Sequence, residues 1–102
     1  MRTADVYQQG RPAGKLQELD AGRYRFAYVE GYDGEPVSLA MPVRGEAYDF
    51  DGFPPLFEGL LPEGPQLEAL LRLAKVDRDD LFQQLLIVGE DVVGSLTILE
   101  AA

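Results

Sequence analysis

Seven consecutive residues, Arg23-Tyr24-Arg25-Phe26-Ala27-Tyr28-Val29, alternate strictly in character. In an extended chain Tyr24, Phe26 and Tyr28 share one face, and Arg23, Arg25 and Ala27 the other. A period of two in β-forming residues predicts a strand with one face on a core. A strand needs neighbours, and the residues before it supply them. Residues 5–9 read as a short strand and Gly10-Arg11-Pro12 as a turn. Residues 13–19 read as a second strand anchored by Leu16 and Leu19, and Asp20-Ala21-Gly22 closes a short glycine-containing hairpin.

The pattern changes further on. Gly31-Tyr32-Asp33-Gly34-Glu35-Pro36 is turn-rich. Val37-Ser38-Leu39-Ala40-Met41-Pro42 reads as a short extended segment ended by proline. Residues 43–53 read mostly as loop, with Tyr48 and Phe50 packed inward. Residues 54–61 suit a short helix beginning at Pro54 or Pro55, since proline fits a first helical turn, and Pro62 ends it. Gly64-Pro65 opens a second helix with Leu67, Leu70, Leu71 and Ala74 at i, i+3, i+4 and i+7. Asp77 is placed to cap a third helix, with Asp79 and Asp80 against its dipole and Leu81, Phe82, Leu85 and Leu86 as its apolar stripe. Gly89 is its stop, and residues 92–99 form a last strand that returns to the N-terminal sheet to satisfy its backbone. The fold class expected is α+β: a small antiparallel sheet, an N-terminal meander plus the returning C-terminal strand, packed with two or three short helices. It is expected to be a single domain over residues 1–102, a length that suits one core.

Composition narrows the chemistry. The chain holds no cysteine and no histidine, so it lacks a thiolate nucleophile, an imidazole base and the usual zinc ligands. Asp49-Phe50-Asp51 and Glu90-Asp91 offer carboxylates for Mg²⁺ or Ca²⁺, but a two-acid pattern is common in acidic chains and reads as solvated loop. Gly89 and Gly94 fit neither a dinucleotide fingerprint nor a phosphate loop. Arg23 and Arg25 offer a phosphate contact; the plainer reading sets them in solvent beside acids such as Glu18 or Asp20. No catalytic residue, cofactor site or metal site is assigned.

Eighteen acids against nine bases give a formal charge of -9. Such a surface repels nucleic acid and anionic lipid and favours a basic patch on a partner protein; the plainer reading is that it keeps a small protein in solution. Neither a signal-peptide core nor a run of about 20 apolar residues is present, so the chain is expected in the cytoplasm and off the membrane.

The densest information lies in residues 53–64, Phe-Pro-Pro-Leu-Phe-Glu-Gly-Leu-Leu-Pro-Glu-Gly. Three prolines stiffen the stretch. On a helix Leu56 and Leu60 share one face, while Phe57 and Leu61 sit on an adjoining one. A short piece with this much apolar bulk either lies under the other helices as core or leaves part of itself open, and open apolar surface marks a partner site. Under the second reading Phe53, Leu56, Phe57, Leu60, Leu61 and Pro62 form a stiff apolar wedge, and Glu58 and Glu63 add charge beside it.

Several stretches also carry a family resemblance. They are Val6-Tyr7 followed by Gly10 and Gly14-Lys15-Leu16; Phe26-Ala27-Tyr28; Val37-Ser38-Leu39-Ala40-Met41-Pro42; Phe57-Glu58-Gly59-Leu60-Leu61-Pro62-Glu63-Gly64; and Asp80-Leu81-Phe82, Leu85-Leu86 and Gly89-Glu90-Asp91-Val92-Val93-Gly94. In order and spacing, over nearly the whole chain, they resemble the N-terminal domain of HipA-type serine/threonine kinase toxins. Gly59 stands where the family usually has asparagine. The kinase core that follows this domain in full-length members, with its ATP loop, catalytic aspartate and metal ligands, has no counterpart in these 102 residues, so none of its residues is carried over.

As a stand-alone domain the chain resembles HipS, the small antitoxin of split, three-part HipBST systems. That resemblance implies a protein that docks on and restrains a HipA-like, HipT-type kinase, with a helix-turn-helix HipB-like protein joining through the complex. It also leaves a second implication open, that of a structural subunit or fragment that completes or activates such a kinase. An independent small-molecule binder or enzyme ranks last, for want of histidine, cysteine and a phosphate loop.

Overall fold

The computed structural model of the chain describes residues 1–90 and 95–101. Five strands make one antiparallel sheet: β1 (Thr3–Gln8), β2 (Arg11–Glu18), β3 (Arg23–Tyr28), β4 (Tyr48–Asp51) and β5 (Leu96–Glu100). Their order is β4-β3-β2-β1-β5, so the first four meander and β5 returns along the other side of β1. Helices α1 (Pro55–Glu58), α2 (Gly64–Ala74) and α3 (Leu81–Val88) fall between β4 and β5. This is the α+β arrangement that the change of period implies.

The first hairpin turns on Gln9 and Gly10, both at positive φ (51° and 80°). A two-residue turn of that hand matches the twist of the strands it joins. The turn therefore comes earlier than Gly10-Arg11-Pro12, and Arg11 and Pro12 belong to β2. The register shifts between Val6 and Tyr7, leaving Ala13 as the extra residue of a bulge. Ala13 and Leu16 are both fully buried as a result.

One face of the sheet carries the core. Ala4 and Val6 from β1, Leu16 from β2, Phe26 and Tyr28 from β3 and Ile98 from β5 lie under Phe57 of α1 and Phe82, Leu85 and Leu86 of α3. Each large side chain so enclosed contributes roughly 1.5–3 kcal/mol. Phe26 meets the ring of Tyr28 edge-on at 5.0 Å and that of Phe57 at 6.0 Å.

Four elements depart from the sequence expectation. Residues 48–51 form an edge strand where a loop was expected; Tyr48 and Phe50 do pack on the core, and Asp49 pairs across the strand with Arg25 at 2.7 Å. The expected extended segment at residues 37–42 is a tight turn with one bridge, Ser38 to Met41, between buried Val37 and Met41. The short helix is a single turn, after which Leu60 and Leu61 continue only as hydrogen-bonded turns to the carbonyls of Phe57 and Glu58.

The fourth departure is the cap of α3. The carboxylate of Asp80, not Asp77, accepts the Gln83 N–H, at 3.2 Å. The Asp77 carbonyl instead closes a turn with the Asp80 N–H and accepts from Gln84, which holds it outside the helix. Residues 92–94 of the expected last strand lie outside the described residues, and the strand itself spans Leu96–Glu100.

Candidate functional site

The proline-bracketed segment leaves β4 and crosses the open side of the core. Pro54 is enclosed in extended conformation and Pro55 starts α1. A single helical turn has room for one fully inward side chain, and Phe57 takes it: its exposure is 0%. Phe57 is thus a core residue, and the wedge drawn from the sequence loses its central ring. Phe53 is half-buried and meets Tyr24 edge-on, centroids 5.1 Å apart. Leu56, Leu60 and Leu61 are half-buried and rest on the outside of the core. Pro62 is half-buried, and Glu58 and Glu63 are exposed. The element is held from beneath and open on its flanks.

Part of it borders a hollow. Leu61 and Pro62 face Leu67 of α2 and Leu81 of α3, with Glu58, Glu63 and Arg78 around them. Buried Gln84 lines the same hollow and donates to the carbonyls of Asp77 and Arg78, at 3.1 and 3.0 Å, which fixes the link between α2 and α3. Arg78 is paired with Glu68. Glu58 and Glu63 have no ion-pair partner among the described residues. An apolar base with an acidic rim suits an apolar side chain flanked by lysine or arginine. Phe53, Leu56, Phe57 and Leu60 do not line this hollow.

The other charged candidates are occupied. Arg25 is paired with Asp49, and Arg23 Nε donates to the Asp20 carbonyl at 3.3 Å. Glu18, expected near them, belongs to Arg2 instead. The Arg2 guanidinium donates to both oxygens of Glu18 at 2.9 and 2.7 Å and to both of Asp80 at 2.9 and 3.2 Å, and lies 5.0 Å from the Phe82 ring centre. Its hydrogen bonds hold the Glu18 and Asp80 carboxyls below the usual carboxylate range. Asp91 of the Glu90-Asp91 pair lies outside the described residues; among the described residues no group of three or more acidic, histidine or cysteine side chains converges on a metal-sized site. No helix of the described residues is long and apolar enough to cross a membrane.

Sequence reasoning passed over two surface features. Leu39 is 96% exposed at the tip of the 38–41 turn. The apolar stripe of α2 holds no buried residue: Leu67, Leu70 and Leu71 are half-buried and Ala74 is exposed.

A family model described as the HipA N-terminal domain matches residues 4–99. The chain belongs to that family. The solved N-terminal domain of HipA toxin superimposes with a TM-score of 0.80 at 31% identity, covering 100% of this chain and 94% of that one. An uncharacterised protein of Haemophilus influenzae is 32% identical over 98% of this chain and 93% of its own length. Two proteins of Sinorhizobium fredii, named "Putative kinase Y4mE" and "Putative kinase Y4dM", are 33% and 34% identical over 97% and 92% of this chain. The chain spans only 24% and 25% of their lengths. A HipA N-terminal domain thus occurs among these relatives both at about this length and as a quarter of a longer chain. In the present one, the Phe57–Gly64 motif, one of those that carry the resemblance, begins in the last two residues of α1 and lines one side of the hollow beside it.

Proposed function

We propose that this HipA N-terminal domain is a protein-binding antitoxin. It docks on a HipA-like, HipT-type serine/threonine kinase and restrains it, and it catalyses nothing itself. One observation carries the reading: the same domain makes up about a quarter of two kinase-named relatives and nearly all of a third. A domain that accompanies a kinase in one chain has a surface suited to it, and a separate copy would use that surface in trans. The half-open leucines fit this role. Leu56, Leu60, Leu61 and Pro62 supply apolar contact, Glu58 and Glu63 steer toward a basic face, and Phe53 and Phe57 hold the element in place from below. The domain works as one unit over residues 1–102, in the cytoplasm. At a net charge of -9 it avoids nucleic acid, and a HipB-like helix-turn-helix protein meets it only through the kinase.

The test is autophosphorylation of a HipA-like kinase that lacks this domain, with and without the purified chain. Inhibition at stoichiometric addition is the expected result. Stimulation would favour the other reading, a structural subunit that completes the kinase, for which the fused relatives speak. No effect together with no binding would remove both.

A further inference from the structure

The longest helix among the described residues buries none of its side chains. α2 has eleven residues, Gly64–Ala74, and its apolar positions are well ordered around the axis. At about 100° per residue, Leu70, Ala74, Leu67 and Leu71 follow one another as a continuous arc, and Leu73 extends it just beyond the exposed Gln66. Such an arc normally turns into the core. Here that place is already filled by Phe57 of α1 and by Phe82, Leu85 and Leu86 of α3. Leu67, Leu70 and Leu71 are left half-covered, and Leu73 is 80% exposed.

The helix is nevertheless well built. Pro65 sits in its first turn, and Lys75 ends it in the left-handed conformation, φ 55°, with its N–H on the Leu71 carbonyl. An ion pair from Glu68 to Arg78 ties it to the following link. A preformed helix with an open leucine arc costs little ordering entropy on binding.

We infer that α2 is a docking helix whose leucine arc seats in an apolar groove on the kinase, edged by basic residues. The inference rests on the kinase-docking reading above and adds a second surface to it. Two observations select that occupant. The arc is continuous with the hollow at Leu61 and Pro62, because Leu67 lines both, so one partner can cover both. Acids without ion pairs among the described residues bracket the helix, Glu58 and Glu63 before it and Asp77 and Asp79 after it. A second copy would bring the same acids to the same place on a body of charge -9, and like charges repel. A basic rim on another protein meets them favourably. Helix-in-groove binding of this kind reads as leucine anchors at i, i+3, i+4 spacing.

The experiment is calorimetric titration of the full chain into a HipA-like kinase lacking this domain, with wild type, Leu73→Glu and Leu70→Glu. Leu73 is so exposed that its replacement leaves the fold intact, and melting followed by circular dichroism checks both variants. The expected result is binding weakened at least about tenfold by each, an unchanged melting temperature for Leu73→Glu, and weaker wild-type binding as salt rises. Wild-type affinity in both variants, with wild type bound, overturns the α2 assignment and leaves the docking reading standing. No wild-type binding overturns both. A wild-type dimer that Leu73→Glu dissociates, seen by light scattering, gives the arc to a second copy and also overturns the assignment.

Discussion

The carbonyl of Gly89 accepts the N–H of Ile98 at 2.7 Å, and a Cβ placed on Gly89 would stand 2.7 Å from the Cβ of Ile98. This is where the end of α3 is laid against β5. Gly89 has an ordinary right-handed backbone, φ −74°, so it is not needed for conformational freedom. It is needed because nothing larger fits. Gly89→Ala is therefore expected to destabilise the fold by about 1–3 kcal/mol through overpacking. A urea titration followed by circular dichroism measures it. A neutral result would mean that β5 can slide away from the helix end.

The hydroxyl of Tyr28 joins two backbone groups of the 37–41 turn. It accepts the Val37 N–H at 3.0 Å and donates to the Met41 carbonyl. Burial pushes its pKa up, and the Val37 hydrogen bond partly offsets this. Tyr28→Phe keeps the ring and strands both backbone groups in a buried place. The expected loss is about 1–3 kcal/mol. Amide hydrogen exchange at Val37 should accelerate well beyond that at Phe26, since the damage is confined to the turn that holds Leu39 outward.

The sheet was readable where its pattern was long. Seven alternating residues at 23–29 outlast any local accident, and Gly10 and Gly22 punctuate the strands around them. Tyr48–Asp51 alternates too, but four residues between a charged loop and a proline pair carry too little periodicity to declare a strand. Pairing with β3 and the Arg25–Asp49 contact decide it. The Arg2 network was invisible because its members are 16 and 78 residues apart. The helices teach a narrower lesson. Periodicity says which side chains share a face, as with Leu67, Leu70 and Leu71, but not what that face meets. Two other helices had already closed the core. The same holds in and just after α1, where Phe57 and its leucine neighbours look alike in sequence and only Phe57 points fully inward.

That distinction between Phe57 and its neighbours has a measurable consequence. Phe57→Ala empties the middle of the core between Phe26 and α3 and should cost about 3–5 kcal/mol. A domain of this kind has roughly 5–15 kcal/mol in all, so much of its stability goes. Leu60→Ala removes a half-covered side chain and should cost about 1–2 kcal/mol, below the range for fully buried leucine. Under the docking reading the order reverses for binding. Among molecules shown to be folded by their circular dichroism, Leu60→Ala should weaken kinase binding more than Phe57→Ala does. Equal binding by folded Leu60→Ala would remove Leu60 from the docking surface.

Asp80 does two jobs that can be separated by one atom. Its carboxylate caps α3 through the Gln83 N–H and also pairs with Arg2. Asp80→Ala loses both; a cap is worth about 1 kcal/mol and a largely solvent-screened ion pair at most about 1. Asp80→Asn keeps an oxygen for the cap and loses only the charge, so it should fall less. The pH dependence follows from the same contacts. Arg2 hydrogen bonds depress the folded-state pKa of Asp80 and of Glu18. The unfolded chain therefore takes up those protons at a higher pH than the folded one does. The stabilisation is fully present above the ordinary carboxylate pKa of about 4 and is lost as pH falls from there through the depressed values. Melting temperatures of wild type and Asp80→Asn should thus differ near neutral pH and converge as the solution is acidified below that point. A gap that stayed constant to the acid limit would show that the Arg2 pairing does not contribute to stability and that the cap alone matters.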